Sequence, residues 1–232
     1  MGLKLANVVP WGRSLPEYIK MFALSDRDLS LSILDCAAGP ASFNAELTHK
    51  GGNVISCDPI YQFGVGDIAK QIDATYTTII QQVSANLDRY VWRDIDSPAQ
   101  LGQVRMSAMG LFLEDFPKGL QNGRYMLESL PQLSFATQQF DLALCSHFLF
   151  AYSKQLSETF HYEAIAEMCR VAKEVRIFPL LTISGEPSPY LHTIIETLTQ
   201  QGYQPEIQSV NYEFQRGGNQ MLKICKPLFF NK

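Results

Sequence analysis

The sequence lacks any hydrophobic run long enough to cross a membrane as a helix. Of its 232 residues, 46% are hydrophobic and 18% are charged, an ordinary balance for a globular protein. No apolar run approaches the roughly 18 residues that a transmembrane helix needs, and the N-terminus lacks the charged-then-apolar pattern of a signal peptide. We therefore expect a cytoplasmic protein with no membrane partner.

Cysteine is also scarce. The five cysteines lie far apart and form no CxxC pair, so their spacing excludes the common zinc and thioredoxin-like motifs. Cys36, Cys57 and Cys145 fall at the ends of predicted core strands, where a cysteine is more often a buried thiol than a disulfide partner or a metal ligand. We expect no metal site.

An excess of positive charge is absent as well. The chain carries 19 Lys and Arg against 23 Asp and Glu, which gives a formal net charge of −4. This balance argues against a nucleic-acid partner bound through a strongly basic surface. A chain of this length can bury a core of its own, and a small-molecule partner suits it better than a polynucleotide.

Glycine-rich phosphate-binding patterns are missing, although a strand–turn–helix unit stands where one would be expected. An apolar run ends in Asp35, and a helical stretch follows that closes at Gly51, with Pro40 predicted near its first position. A dinucleotide site needs G-x-G-x-x-G, but the turn reads Ala37-Ala38-Gly39-Pro40-Ala41-Ser42, and Pro40 has no N–H to give to a pyrophosphate. The small residues still let a ligand approach the backbone closely.

An acid follows the next predicted strand. The apolar run at residues 53–57 ends in Asp58, about 20 residues after the turn, where a nucleoside-binding βαβ unit keeps the acid that holds the ribose. A carboxylate can accept hydrogen bonds from both ribose hydroxyls. The pattern predicts a site for a nucleoside-containing cofactor without a required phosphate; the alternative is an ordinary strand-to-helix turn.

Residues 60–123 separate the second strand from the third, a much longer connection than usual. Apolar residues at steps of three and four predict two helices in this segment, and Ser97-Pro98 is typical of the start of the second one. We expect a helical insertion that forms a lid over the substrate. The alternative is that its apolar stripes simply extend the core.

The remaining pattern predicts an α/β fold. Helices are expected from Ser157 and from Ser188-Pro189, and further strands at residues 125–127, 140–145, 175–181, 206–214 and 220–227, the last two joined as a hairpin through residues 215–219. This order predicts a Rossmann-like, seven-stranded, mostly parallel sheet with helices on both faces and an antiparallel strand in the C-terminal β-hairpin. We expect a single domain over residues 1–232, with residues 1–30 as an N-terminal cap.

Two segments carry a resemblance to a known family. The first, Asp35-Cys36-Ala37-Ala38-Gly39-Pro40-Ala41, resembles motif I of the class I S-adenosylmethionine-dependent methyltransferases, usually D-x-G-x-G-x-G, with only the central Gly kept. The second, Glu128-Ser129-Leu130-Pro131 followed by Phe140-Asp141-Leu142, resembles the run "gDAxxLPFxxxxFDxV" of the type 11-like members. The resemblance covers roughly residues 30–227 and implies S-adenosyl-L-methionine as cofactor and S-adenosyl-L-homocysteine as product.

The resemblance also implies the residues that hold the cofactor. In it, Ser129 takes the position of the acid that binds adenine, and Leu130 supplies a backbone N–H. Trp11, Arg13 and Tyr18 in the cap are candidates to cover the cofactor, with Arg13 meeting its carboxylate; the alternative is a surface cap whose aromatic residues pack on the domain edge. The full set of expected cofactor-binding residues is Asp35, Ala37, Gly39, Ala41, Asp58, Pro59, Ser129, Leu130, Ser146 and Arg13.

Four further residues are candidates for the acceptor side. His147 follows the fourth strand and is the best base, because imidazole titrates near neutral pH; the alternative is a histidine bonded to the backbone at a strand-to-helix turn. Tyr152 either contacts substrate or packs. Arg216 and Asn219 in the predicted hairpin turn are candidates to bind substrate, and the alternative for Arg216 is surface exposure.

The favoured function is therefore a methyltransferase that passes a methyl group to a small-molecule acceptor by in-line displacement, with the protein holding donor and acceptor in line. The Asn/Asp-Pro-Pro-Tyr/Phe signature of DNA amino methylation is missing. One alternative is a non-catalytic module that binds the cofactor or a protein partner on the same fold. A nucleotide-binding oxidoreductase domain is the other, and Pro40 and the terminal hairpin disfavour it.

Overall fold

The computed structural model describes residues 8–225. Its strands are β1 (Ser32–Cys36), β2 (Asn53–Cys57), β3 (Tyr125–Met126), β4 (Phe140–Ser146), β5 (Ala172–Phe178), β6 (Gln204–Ser209) and β7 (Gln220–Cys225). Its α-helices are α1 (Leu15–Phe22), α2 (Asp26–Leu29), α3 (Phe43–His49), α4 (Val65–Ser84), α5 (Pro98–Gln121), α6 (Glu158–Val171) and α7 (Leu191–Gln200). The last two residues of the predicted final strand, 226 and 227, lie outside the described residues.

The seven strands form one sheet in the order β3-β2-β1-β4-β5-β7-β6. Strand β7 runs antiparallel to both of its neighbours, whereas the other strands all run in one direction. This arrangement confirms the predicted fold class, including the antiparallel strand of the C-terminal hairpin. The chain order reverses between β1 and β4, and open α/β sheets bind ligands at such a point, beyond the carboxyl ends of the strands.

Helices cover both faces of the sheet because its central strands are apolar on both sides. Ile33 and Leu34 are consecutive on β1, so they point to opposite faces. Leu34 belongs to a core cluster with residues of α6 and α7, and Ile33 belongs to a second cluster with residues of α1 and α3. Cys36, Cys57 and Cys145 are buried free thiols in this core, as predicted.

The insertion forms the two helices that its apolar stripes predict, α4 and α5. The Ser97 hydroxyl accepts a hydrogen bond from the backbone N–H of Gln100, which caps the start of α5. The buried faces of the two helices pack on Tyr61 and Tyr125 beside the sheet. Within residues 8–225, no helix combines the length with the apolar character needed to cross a bilayer.

Several predicted boundaries are wrong. Strand β5 spans Ala172–Phe178 and not 175–181, and α7 begins at Leu191 and not directly after Ser188-Pro189. Pro40 lies in the turn and not at the start of α3, which begins at Phe43, because Ala37 and Gly39 take left-handed φ values of 52° and 54° and lengthen the turn. Strand β6 ends at Ser209 and does not reach residue 214. The chain leaves the sheet there, and Phe214 stacks on Tyr90 of the insertion instead, with ring centroids 4.9 Å apart.

Candidate active site

A cavity of about 430 Å³ lies beyond the carboxyl ends of the parallel strands, within the size range of small-molecule sites. Its walls come from the turn after β1, the ends of β2 to β5, the segment before α1, the insertion, and the loop between β6 and β7. The residues predicted for the site that line it are Arg13, Ala37, Gly39, Ala41, Asp58, Pro59, Ser129, Leu130, Ser146, His147 and Tyr152.

Asp35, Arg216 and Asn219 do not line this cavity. The Arg216 guanidinium donates hydrogen bonds to the carbonyl oxygens of Asp88 and Tyr90 at 3.1 and 3.2 Å, so it binds the insertion rather than facing a substrate. Asn219 accepts a backbone hydrogen bond from Val210 and continues the pairing of the hairpin. Both predicted substrate contacts are displaced because the loop between β6 and β7 folds onto the end of the insertion.

Three backbone amides of the turn after β1, those of Ala38, Gly39 and Ser42, already have partners. The amide of Ala38 donates to the carbonyl of Cys57 at 3.2 Å, and that of Gly39 donates to Asp58 Oδ2 at 2.9 Å. The amide of Ser42 donates to the carbonyl of Arg13, and Pro40 has none. A pyrophosphate would need these N–H groups, so the turn is unsuited to a dinucleotide.

The Asp58 carboxylate is held in one orientation by the backbone. Besides Gly39, the amide of Ile60 donates to its Oδ1 at 2.8 Å. A carboxylate has about four lone-pair sites, so each oxygen retains acceptor capacity for a ligand in the cavity. Burial raises the pKa of Asp58 in spite of these two hydrogen bonds. The side chain is therefore positioned to accept a pair of hydroxyl donors.

The segment before α1 packs directly on the turn. A Cβ placed on Gly12 would lie 2.0 Å from the carbonyl oxygen of Pro40, so only glycine fits there. Next to it, the Arg13 guanidinium donates to the carbonyl of Trp11 at 2.9 Å, and its Nε is buried with no partner among the described residues. Burial and the charge of Arg105 lower the pKa of Arg13.

Charge near Arg13 is not balanced. Arg105 on α5 is 1% exposed and pairs with Glu17 at 2.6 Å, and both also contact the Tyr212 hydroxyl. Within residues 8–225, no carboxylate forms an ion pair with Arg13. Two guanidinium groups thus face one carboxylate, and this corner of the cavity carries an excess positive charge that favours an anionic ligand group.

Asp35 lies below the cavity floor and is completely buried. Tyr18, which does line the cavity, places its hydroxyl 3.2 and 3.3 Å from the two carboxyl oxygens, and the Ser56 hydroxyl lies 3.4 Å away. Burial raises the pKa of Asp35 to about 8, against the opposing effect of these hydrogen bonds. Asp35 is thus a largely neutral carboxyl group at pH 7, separated from the cavity by Tyr18.

His147 stands directly after β4 in a strained conformation. Its φ of 52° is left-handed, which a non-glycine residue rarely adopts. Its Nδ1 lies 2.9 Å from Ser146 Oγ, and its ring contacts Phe178 edge-on. Burial, then the charges of Arg13 and Arg105, hold its pKa well below the ordinary value. The imidazole is therefore neutral near pH 7 and able to accept a proton.

Tyr152 has a structural contact as well as a place in the cavity wall. Its hydroxyl accepts a hydrogen bond from the amide of Val9 at 3.3 Å, which ties the segment before α1 to the end of β4. This contact matches the packing alternative, and Tyr152 still lines the cavity.

Trp11 and Tyr18, which the resemblance implies as cofactor covers, line the cavity. Sequence reasoning missed the rest of the apolar wall, which is formed by Ile79 and Val83 on α4, by Leu101 on α5, and by Tyr90 and Phe214 in loops. The helical periodicity showed that the α4 and α5 residues are buried, but periodicity does not tell what covers them. Glu128 also lines the cavity, at the end of β3.

Comparison with solved structures finds methyltransferases of low sequence identity. The chain is similar to the structure of magnesium protoporphyrin IX methyltransferase from Synechocystis PCC 6803 (12% identity, TM-score 0.47, 91% of this chain and 77% of that one). It is also similar to 1,6-didemethyltoxoflavin-N1-methyltransferase from Burkholderia thailandensis (12% identity, TM-score 0.48, 91% and 77%). The antiparallel β7 matches the C-terminal hairpin that the resemblance to the class I methyltransferases implies.

Sequence comparison identifies a nearer relative. No protein-family model matches the chain. The uncharacterized protein MJ0045 of Methanocaldococcus jannaschii is 32% identical over 223 residues, which cover 96% of this chain and 98% of that protein. The chain therefore belongs to the same family as this M. jannaschii protein.

Proposed function

We propose that the protein binds S-adenosyl-L-methionine and transfers its methyl group to a small-molecule acceptor. The observation that carries this proposal is the turn after β1, whose amides at Ala38 and Gly39 are bonded internally while Asp58 stays oriented toward the cavity. Such a site suits a nucleoside that has ribose hydroxyls and no phosphate. The donor set thus favours this cofactor over NAD.

The residues present fit the parts of the cofactor. Asp58 accepts hydrogen bonds from the two ribose hydroxyls. Ser129 and Leu130, which follow β3, contact the adenine. A Cβ on Gly39 would meet open space within 4 Å, so the backbone there is accessible to the ligand. Arg13, which lacks a carboxylate partner among residues 8–225, binds the carboxylate of the methionyl part.

When bound, the cofactor supplies a methyl group on a positively charged sulfur, an activated leaving group. His147 takes the proton of the acceptor on its imidazole, held by the Nδ1 contact with Ser146. A general base contributes roughly 10²–10⁴-fold to rate, most where its pKa lies near the working pH. Because the pKa of His147 is lowered, we expect a contribution toward the low end of this range. The insertion and the segment before α1 form the lid, which keeps water out and holds the acceptor in line.

Calorimetric titration tests the cofactor. The full-length wild-type chain is titrated with S-adenosylmethionine, with S-adenosylhomocysteine and with NAD. The same titrations are then repeated with the Asp58→Ala variant. Loss of hydrogen bonds to a charged group costs roughly 1.5–3 kcal/mol, so we expect a dissociation constant for S-adenosylhomocysteine about 10- to 150-fold higher. The matched control is Asp26→Ala, an exposed acid on α2 before β1, which we expect to bind as the wild type does. Binding of NAD alone, or an unchanged constant for Asp58→Ala, would contradict the proposal.

Catalysis is tested separately from binding. A panel of small acceptors is screened for release of S-adenosylhomocysteine, with His147→Ala compared with the wild type. We expect turnover with at least one acceptor and a loss of roughly 10²-fold or more in the variant. Binding of the cofactor with no turnover on any acceptor would favour the alternative, a non-catalytic binding module.

A further inference from the structure

The cavity has two chemically different halves. Within the described part of the chain, the charged residues that line it are Arg13, Asp58 and Glu128, and His147 is present as a neutral imidazole. Asp58 and Glu128 follow β2 and β3, on the side of the sheet where the nucleoside is proposed to bind. The other half lies over β4, β5 and the loop between β6 and β7, and we refer to it as the acceptor half.

The walls of the acceptor half are apolar and partly aromatic. Ile79, Val83, Tyr90 and Leu101 are between 1% and 6% exposed and form one cluster with Trp11 and Phe214. Tyr90 and Phe214 stack with an angle of 27° between their planes. Flat aromatic surfaces contact a flat ligand better than a puckered one, because offset stacking adds to the gain from burial.

Charge also discriminates among acceptors. Along residues 8–225, no carboxylate lines the acceptor half. Arg13 lies at the boundary between the acceptor half and the nucleoside half. Arg105 lies behind it and pairs with Glu17. An ammonium group on the acceptor would lose its hydration and find no carboxylate partner in this half, and it would be repelled by Arg13. A nucleophile that becomes negative on losing its proton would instead be stabilised by the excess positive charge.

Resting on the proposed function, we propose that the acceptor is a planar aromatic compound with an acidic hydroxyl group, of the phenol or naphthol type. The acceptor oxygen forms a new bond to the methyl carbon as the bond from that carbon to sulfur breaks. The electron pair of the broken bond passes to sulfur, which changes from sulfonium to thioether. The hydroxyl proton passes to His147 and from there to water.

The test uses three probes of matched size. Protein saturated with S-adenosylhomocysteine is titrated calorimetrically with 2-naphthol, with its saturated analogue decahydro-2-naphthol, and with the aromatic cation 2-naphthylmethylamine. We expect 2-naphthol to bind at least about tenfold more tightly than either of the others, the ratio that 1.4 kcal/mol of stacking or charge preference gives. Equal or tighter binding of the saturated alcohol or of the amine overturns the proposal, as does no binding of 2-naphthol.

A pair of tryptophan variants locates the binding. Trp11 lines the cavity, whereas Trp92 packs on the same cluster but lies outside the cavity wall. We expect Trp11→Leu to lose about tenfold in affinity for 2-naphthol and to retain binding of S-adenosylhomocysteine, and Trp92→Leu to change neither. An unchanged affinity for 2-naphthol in Trp11→Leu would show that 2-naphthol binds elsewhere and would overturn the proposal. Failure to bind S-adenosylhomocysteine in the wild type would instead contradict the proposed cofactor.

Discussion

Replacing Asp35 with asparagine should change how stability depends on pH. Asp35 is completely buried, and its neighbours are the hydroxyls of Tyr18 and Ser56 rather than a cation. Its pKa is raised to about 8 in the folded protein, compared with about 3.9 in an unfolded chain. The folded state therefore keeps a proton that the unfolded state releases. The stabilisation that Asp35 contributes is fully present below its pKa in the unfolded chain, and it is lost as the pH rises through its pKa in the folded protein.

The size of this effect follows from proton linkage. Between pH 5 and pH 7, Asp35 is ionised in the unfolded chain and protonated in the folded one, so the free energy of unfolding falls by about 1.4 kcal/mol per pH unit. This amounts to about 3 kcal/mol over the interval, or roughly 5–10 °C in melting temperature for a domain of this size. Asparagine has no proton to lose, so Asp35→Asn removes this contribution.

Urea denaturation of the wild type and of Asp35→Asn at pH 5, 6, 7 and 8 measures the difference. We expect the stability of the variant relative to the wild type to rise with pH over this range and to level off above pH 8. His147 is present in both proteins, so its titration cancels. The control is Asp141→Asn, since Lys173 and Ser32 lower the pKa of Asp141 to about 2 and its contribution is flat over this interval. Parallel curves for Asp35→Asn and the wild type would refute the reasoning.

Two further substitutions test the packing around the cavity. Gly12→Ala places a methyl group against the Pro40 carbonyl oxygen. We therefore expect the free energy of unfolding to fall by roughly 1–3 kcal/mol and S-adenosylhomocysteine to bind more weakly in calorimetric titration. Unchanged binding would show that the segment before α1 does not shape the site. Arg216→Ala removes the hydrogen bonds to Asp88 and Tyr90, worth about 1–2 kcal/mol. We expect hydrogen exchange in residues 86–92 to become roughly 5- to 30-fold faster, and equal exchange in variant and wild type would contradict this role.

The fold was predictable because most of its boundaries are set by local chemistry. Strand β2 has the predicted bounds, since Gly52 precedes it and Asp58-Pro59 ends it. The prediction failed at β6, where Tyr212 and Phe214 continue the alternating apolar pattern of a strand. Tyr212 instead bonds Glu17 and Phe214 contacts the insertion. Alternation shows that such residues are buried on one side, but it does not distinguish a neighbouring strand from another element.

The site was predictable where it depends on the ends of strands and unpredictable where distant segments meet. Asp58 and His147 line the cavity because they directly follow β2 and β4. Arg216 was assigned to the substrate because it lies in the loop before β7, at the same end of the sheet. Its partner Tyr90 is 126 positions away in the chain, and no local pattern reports a contact over that distance.

The incomplete glycine motif is not a sign of a degenerate site. At the first of the three motif positions, Ala37 takes the left-handed φ of 52° that glycine would take freely, at a cost of about 1–2 kcal/mol. At the third, Ala41 is 4% exposed and its methyl group packs in the core. The turn therefore keeps its path, held by the bond between Gly39 and Asp58. His147 stores similar strain at the end of the adjacent strand β4. Of the four non-glycine residues with left-handed φ among residues 8–225, Ala37 and His147 line the cavity and Ala23 and Gln138 do not. Strain persists only where the surroundings impose it, and it concentrates at functional sites, so two strained residues at neighbouring strand ends in one cavity wall favour a working site over a vestigial one.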